Sequence, residues 1–144
     1  MSKLTTYDVA NVLLRLSDTD SGDVVTNLKM QKLIYYTQGF HLAINDTPLF
    51  DEDLVAWEHG PVSVSLYEKL RSFKSGQIEI SEPVSVDITA EQLDLINEVL
   101  NVYGQFSAWK LRDMTHNETP WTSTLRGEKI DKTKLTAYFK TQLQ

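Results

Sequence analysis

Apolar residues recur at helical spacing over most of the chain. Val9, Val12, Leu13 and Leu16 share one face of a stretch from Tyr7 to Leu16, opened by the capping-box pattern Thr5-x-x-Asp8. A second helix is predicted from about Asn27 to Ile44, with Thr26 as its cap. Leu33, Ile34, Phe40, Ala43 and Ile44 repeat at helical spacing there, and Met30 and Tyr36 widen the stripe, so this helix is expected to be central and largely buried. Asn45, Asp46 and Pro48 end it. Leu54 to Trp57 reads as short and extended, and Gly60-Pro61 punctuates it. Val64 to Phe73 predicts a third helix, with Gly76 as a candidate C-cap. Ile78-Glu79-Ile80 and Val84 to Ile88 alternate with period two and predict one or two short strands able to pair with Leu54–Trp57, Pro83 placing them at an edge or a break. Thr89-x-x-Gln92 opens a helix from Ala90 to Tyr103, and Ser107 caps a shorter one through Met114. A final helix starts at Asp131 or Thr133 and runs to about Leu143. The expected fold is mostly α (α+β): a compact single-domain bundle of about five to six helices with a small two- or three-stranded β element, spanning residues 1–144.

Composition narrows the function. At 144 residues the chain has the size of one ordinary domain. Cysteine is absent, which excludes disulfides, thiolate zinc sites, iron–sulfur clusters and a cysteine nucleophile. Met1 to Asp8 lacks the apolar core of a signal peptide, and no apolar run reaches the roughly 18 residues of a membrane span, so a cytoplasmic protein with no membrane partner is expected. The net charge of −6 is uneven: residues 1–98 hold 7 basic and 16 acidic side chains, and residues 99–144 hold 7 basic and 4 acidic. Glu79 to Glu98 carries six acids and no base. Nucleic acid is therefore not an expected partner, because that binding draws on clustered Lys and Arg.

Local motifs give little support to catalysis. The polar loop Ser17–Asp23 fails the calcium-loop pattern: counted from Asp18, Gly22 falls fifth and Lys29 twelfth. His41, His59 and His116 form no helical metal pair, and His116-x-Glu118 lacks the Cys-x-x-Cys of zinc deaminases. No phosphate-cradling glycine loop occurs. The expectation is a non-enzyme without cofactor or metal. Two segments concentrate unusual chemistry. Trp57-Glu58-His59-Gly60-Pro61 combines a large aromatic, a charge, a titratable ring and a rigid turn. Thr115 to Trp121 ends a helix at Thr119-Pro120 and brings His116, Glu118 and Trp121 close in sequence.

Together these segments carry a resemblance. Thr26 to Ala43 (TNLKMQKLIYYTQGFHLA) resembles the hallmark helix of the Panacea domain family, which includes SocA-type antitoxins and GepA-type phage-associated proteins. Pro48 to Asp51, Ala56 to Val62 and Leu66-Tyr67 resemble its second motif, and Ser107 to Trp109 with Thr115 to Trp121 its third. The motifs fall within residues 4–121, and residues 122–144 form a C-terminal extension with the final helix. Leu28, Leu33, Tyr36, Gly39, Gly60, His116, Glu118, Pro120 and Trp121 stand at motif positions expected to be structural.

The resemblance implies a predominantly α antitoxin of a type II toxin–antitoxin pair that neutralises a co-encoded protein toxin by direct binding. Its alternatives are an adaptor that delivers the toxin to a protease, and a phage or prophage accessory protein. An acidic body suits a basic toxin. Contact residues are expected at Trp57, Glu58, His59, Pro61 and Tyr67, with the acidic block beside them, and then at Lys29, Gln31 and Lys32 on the polar side of the second helix.

Overall fold

The computed structural model describes residues 4–17, 24–84 and 86–143. The expected loop at Asp18–Asp23 and the opening residues 1–3 lie outside them. Seven α-helices and one antiparallel hairpin are found among the described residues: α1 (Thr6–Leu16), α2 (Asn27–Asn45), β1 (Val55–Trp57), β2 (Gly60–Val62), α3 (Val64–Leu70), α4 (Ala90–Tyr103), α5 (Ala108–Thr115), α6 (Thr119–Thr122) and α7 (Lys132–Lys140). A 3-10 turn, Arg71–Phe73, extends α3. The capping boxes at Thr5/Asp8 and Thr89/Gln92 are formed. The mostly α architecture with a small β element is the one expected.

Helix α2 is the axis of the molecule. It packs against α1, α3, α4, α5, α7 and β2. Met30, Leu33, Ile34, Tyr35 and Tyr36 on it are buried, as an apolar circumference requires. Its polar residues are buried too. Lys29, Gln31 and Lys32 are 5%, 1% and 0% exposed, which corrects the expectation that they face outward. Their reason for being there is backbone anchoring. Lys29 Nζ donates to the Gly104 carbonyl at 2.7 Å, and Lys32 Nζ to the Pro61 carbonyl at 3.0 Å. Gln31 Oε1 accepts from the Ser63 amide at 2.8 Å. Gln38 grips the Leu49 amide and the Phe50 carbonyl, both at 2.8 Å. With elements on every side, α2 has no solvated face, so each polar group has to find a partner in the protein.

The β element is the hairpin β1–β2, paired Val55 with Val62, Ala56 with Pro61 and Trp57 with Gly60. The alternating segments at 78–80 and 84–88 form no strand, which corrects their expected pairing; Ser85 lies outside the described residues. Ile78 donates its amide to the Val25 carbonyl at 3.0 Å, and Ile80, Val84, Val86 and Ile88 pack on the core instead. The edge of β1 that they would have used is taken by residues 127–130. Ala56 donates to the Glu128 carbonyl (3.0 Å) and accepts from the Gly127 amide (2.7 Å), and Ile130 donates to Leu54 (2.7 Å). Because both polar groups of Ala56 turn that way, its partner Pro61 needs no N–H, and proline is tolerated in the strand.

Residues 127–140 are thus integral. Helix α7 packs more extensively against α2 than any other element does, with Phe139 fully buried among Tyr35, Tyr36 and Phe40. The glycine at 39 makes that approach possible: a Cβ there would stand 2.7 Å from Phe139 Cζ and closer still to Cδ2 and Cε2.

A cavity beside the hairpin as candidate functional site

The hairpin turn projects Trp57, Glu58 and His59 beside α3 and α5. Gly60 closes the turn with φ +112°, a conformation that L side chains rarely adopt, and a Cβ there would meet Thr115 Oγ1 at 2.7 Å and Lys32 Cε at 2.8 Å. The turn therefore sits hard on α2 and α5. Pro61 is buried, so its contribution is the carbonyl that Lys32 holds, not an exposed contact as expected from the sequence. Lys32 is fully buried, with its ammonium on that carbonyl. Burial, reinforced by the nearby Arg112 guanidinium, lowers its ammonium from 10.5 to about 7.

Behind the turn lies a fixed scaffold. Trp121 Nε1 donates to the Trp57 carbonyl at 2.8 Å. The Trp121 ring stacks on His116 with centroids 4.0 Å apart, and Arg126 covers its other face at 3.5 Å. His116 Nε2 is the one buried side-chain polar atom without a hydrogen-bond partner among the described residues. Burial first, and the nearby Arg112 second, lower the His116 pKa. Glu118 accepts from the Tyr35 and Tyr36 hydroxyls, both at 2.8 Å, deep in the core. Burial raises its carboxyl pKa against the opposing effect of those hydroxyls. Pro120 is buried at the start of α6, a turn of helix that the sequence reading took only as a helix end.

In front of the scaffold is a cavity of about 690 Å³, within the roughly 300–1,000 Å³ range typical of binding clefts. Asn27, Gln31 and Val62, all buried, form its floor. Leu28, Trp57, Tyr67 and Ala108 form half-buried walls, the Trp57 and Tyr67 rings meeting edge to face at 5.0 Å. Trp109, Glu58, His59, Arg71, Lys74 and Ser75 form an exposed rim. Trp109 is 56% exposed, and the Arg112 guanidinium lies 4.6 Å from its ring centroid. Arg112 Nε also donates to His59 Nδ1 at 3.0 Å. A guanidinium only donates, so Nδ1 accepts and the neutral ring carries its proton on Nε2.

The structure brings together Trp57, Glu58, His59, Tyr67 and Gln31 of the expected contact residues, with Leu28 of the motif residues. It does not bring in the acidic block. None of its six acids lines the cavity, and Glu82 instead binds Tyr7 and, through its carbonyl, Asn11 and Arg15 on α1. Sequence reasoning missed Trp109, Arg71 and Lys74. The available signal was the segment Ser107-Ala108-Trp109, where an N-cap serine places Trp109 in the first turn of a short helix. The basic C-terminal residues are engaged internally, Lys129 and Lys132 with Asp53 and Lys140 with Asp46.

Among the described residues no group of three or more His, Asp or Glu side chains could hold a metal ion, and no helix is long and apolar enough to cross a membrane. No curated protein and no solved structure shows a significant match to the chain. The sequence does match the family described as antitoxin SocA-like, Panacea domain, over residues 30–122, a span that includes the hairpin, both tryptophans of the cavity, Tyr67 and the two rim cations. With well over half of its length matched, the chain belongs to the antitoxin SocA-like, Panacea domain family, an assignment that carries an antitoxin-like role and, in general terms, a protein partner.

Proposed function

We propose that this protein is the antitoxin of a type II pair and neutralises a co-encoded protein toxin by direct binding, without catalysis, through the face that carries the cavity. The observation behind this is Trp109: a large aromatic left 56% exposed on the rim of an aromatic-walled cavity. Burying such a ring in a partner supplies large apolar area at little rotamer cost, and tryptophan, tyrosine and arginine dominate binding hot spots. The side chains behind it are held by the Trp121–Trp57 hydrogen bond and the His116–Trp121–Arg126 stack, which lowers the ordering required on association.

The test is co-expression with the product of the adjacent gene. Trp109→Ala and Tyr67→Ala, each checked for native circular dichroism, are expected to weaken binding by about 2 kcal/mol or more apiece and to release toxicity. Full neutralisation by both folded variants would refute the proposed face. Toxin half-life separates direct occlusion from delivery to a protease: occlusion leaves inhibited toxin stable, and delivery shortens its life.

A further inference from the structure

The chain's acidity suggests a basic partner, but the cavity has the opposite character. Its lining holds two cations, Arg71 and Lys74, against one acid, Glu58, in a chain of net charge −6. Arg71 has a loose, exposed pairing with Glu68 at 3.4 Å, and among the described residues no ion pair engages Lys74. The first turns of α2 and α5 both border the cavity and neither contains an acidic residue, so two positive helix ends add to the field. On the rim, His59 offers its Nε2–H as a donor because Arg112 occupies Nδ1.

The floor selects differently. Gln31 Nε2 donates to Asn27 Oδ1, Asn27 Nδ2 to the Tyr67 carbonyl, and Gln31 Oε1 accepts from Ser63. Those amides are already committed to the protein, so nothing on the floor calls for a polar ligand group. Val62 and the Trp57 and Tyr67 rings supply the remaining inner surface.

We propose that the cavity takes one bulky apolar side chain of the partner protein, from a segment in which that side chain is flanked by Asp or Glu. This rests on the proposed use of this face for toxin binding and specifies what the toxin presents to it. The apolar side chain packs in the cavity against Val62 and the joined Trp57 and Tyr67 rings, and the flanking carboxylates meet Arg71 and Lys74. The partner as a whole can still be basic, since the acidic block lies away from the cavity.

Two measurements separate this inference from the reading beneath it. Short capped peptides with a central phenylalanine flanked by aspartates, asparagines or lysines are titrated into the full chain, monitored by the indole resonances of Trp57 and Trp109. The aspartate peptide is expected to bind about tenfold more tightly than the lysine peptide at low salt, the gap closing as salt screens it. The double variant Arg71→Glu, Lys74→Glu is expected to reverse that order. Equal or tighter binding of the lysine peptide, equal binding of a glycine-centred aspartate peptide, or no binding by any of them overturns the inference. Tighter binding of a single-stranded oligothymidylate than of the aspartate peptide also overturns it, in favour of a nucleic acid. In the neutralisation assay, loss with Arg71→Glu, Lys74→Glu is expected. Full activity of that variant while Trp109→Ala fails sinks the acidic segment alone, whereas full activity of Trp109→Ala and Tyr67→Ala sinks the face itself.

Discussion

Replacing Gly39 by alanine places one methyl group where the ring of Phe139 stands. Two effects compete. Alanine in a helix interior is better than glycine by about 0.8–1 kcal/mol. Against this, the new Cβ would lie 2.7 Å from Phe139 Cζ and nearer to two other ring carbons, so ring or helix has to move. The ring has little room, with Tyr35 at 5.3 Å, Phe40 at 4.9 Å and Tyr36 at 6.0 Å between centroids. Overpacking of a close-packed site costs about 1–3 kcal/mol, and its ceiling is the roughly 3–5 kcal/mol of losing a buried Phe altogether. Because the Cβ falls well inside contact distance of three ring carbons, the upper half of the overpacking range applies, about 2–3 kcal/mol, and the expected net loss is about 1–2 kcal/mol, or roughly 3–6 °C in Tm for a domain of this size. Urea and thermal unfolding followed by circular dichroism measure it. Trimming the obstacle completes the cycle: in the Gly39→Ala background, Phe139→Leu should cost at least about 1 kcal/mol less than it does in the parent. A Gly39→Ala protein as stable as the parent, or strictly additive changes, would refute the packing account.

Three further outcomes concern the buried charges. Glu118→Ala should cost about 2–5 kcal/mol at neutral pH, since two buried tyrosine hydroxyls lose their acceptor at about 1–3 kcal/mol each; a loss under about 1 kcal/mol in urea melts would contradict the assigned network. Because burial raises the Glu118 pKa, its proton favours the folded state below the ordinary carboxylate range, and that contribution disappears as pH climbs through the raised value; Glu118→Gln should remove this slope from the stability–pH profile. Lys32 behaves inversely: with its pKa lowered to about 7, stability is fully present above 10.5 and is lost as pH falls to about 7. Lys32→Met should therefore exceed the parent in stability most at about pH 6, with the gap narrowing toward about pH 9, and a constant gap would show that the amine is not desolvated.

Much of the architecture was legible because it is written in local periodicity. The caps at Thr5, Thr26, Thr89 and Ser107 lie where the pattern put them, and the apolar circumference of α2 announced its central place. What escaped were features decided by distant neighbours. A lysine at position 32 looks like a solvent-facing residue until the Pro61 carbonyl, 29 residues on, is folded over it. Gly60-Pro61 looks like an interruption until residues 127–128 draw the polar groups of Ala56 to the other edge. Val84 to Ile88 has the alternation of a strand but reaches no free edge. At the site, periodicity marked three tryptophans alike, and only packing separates the exposed Trp109 from Trp121, which is stacked between His116 and Arg126.

The dependence of α2 on Phe139, and of β1 on residues 127–130, sets a timetable for synthesis. The ribosome completes α2 about ninety residues before Phe139 is added, an interval of roughly 5–20 s at ordinary elongation rates. Throughout it the most deeply buried helix lacks its main cover, and β1, once made, presents an unpaired edge. Until α7 arrives the nascent protein exposes apolar surface of the kind that holdases and proteases recognise. An interrupted translation therefore leaves a fragment that cannot close its core, and the supply of working protein depends on chains made through to α7.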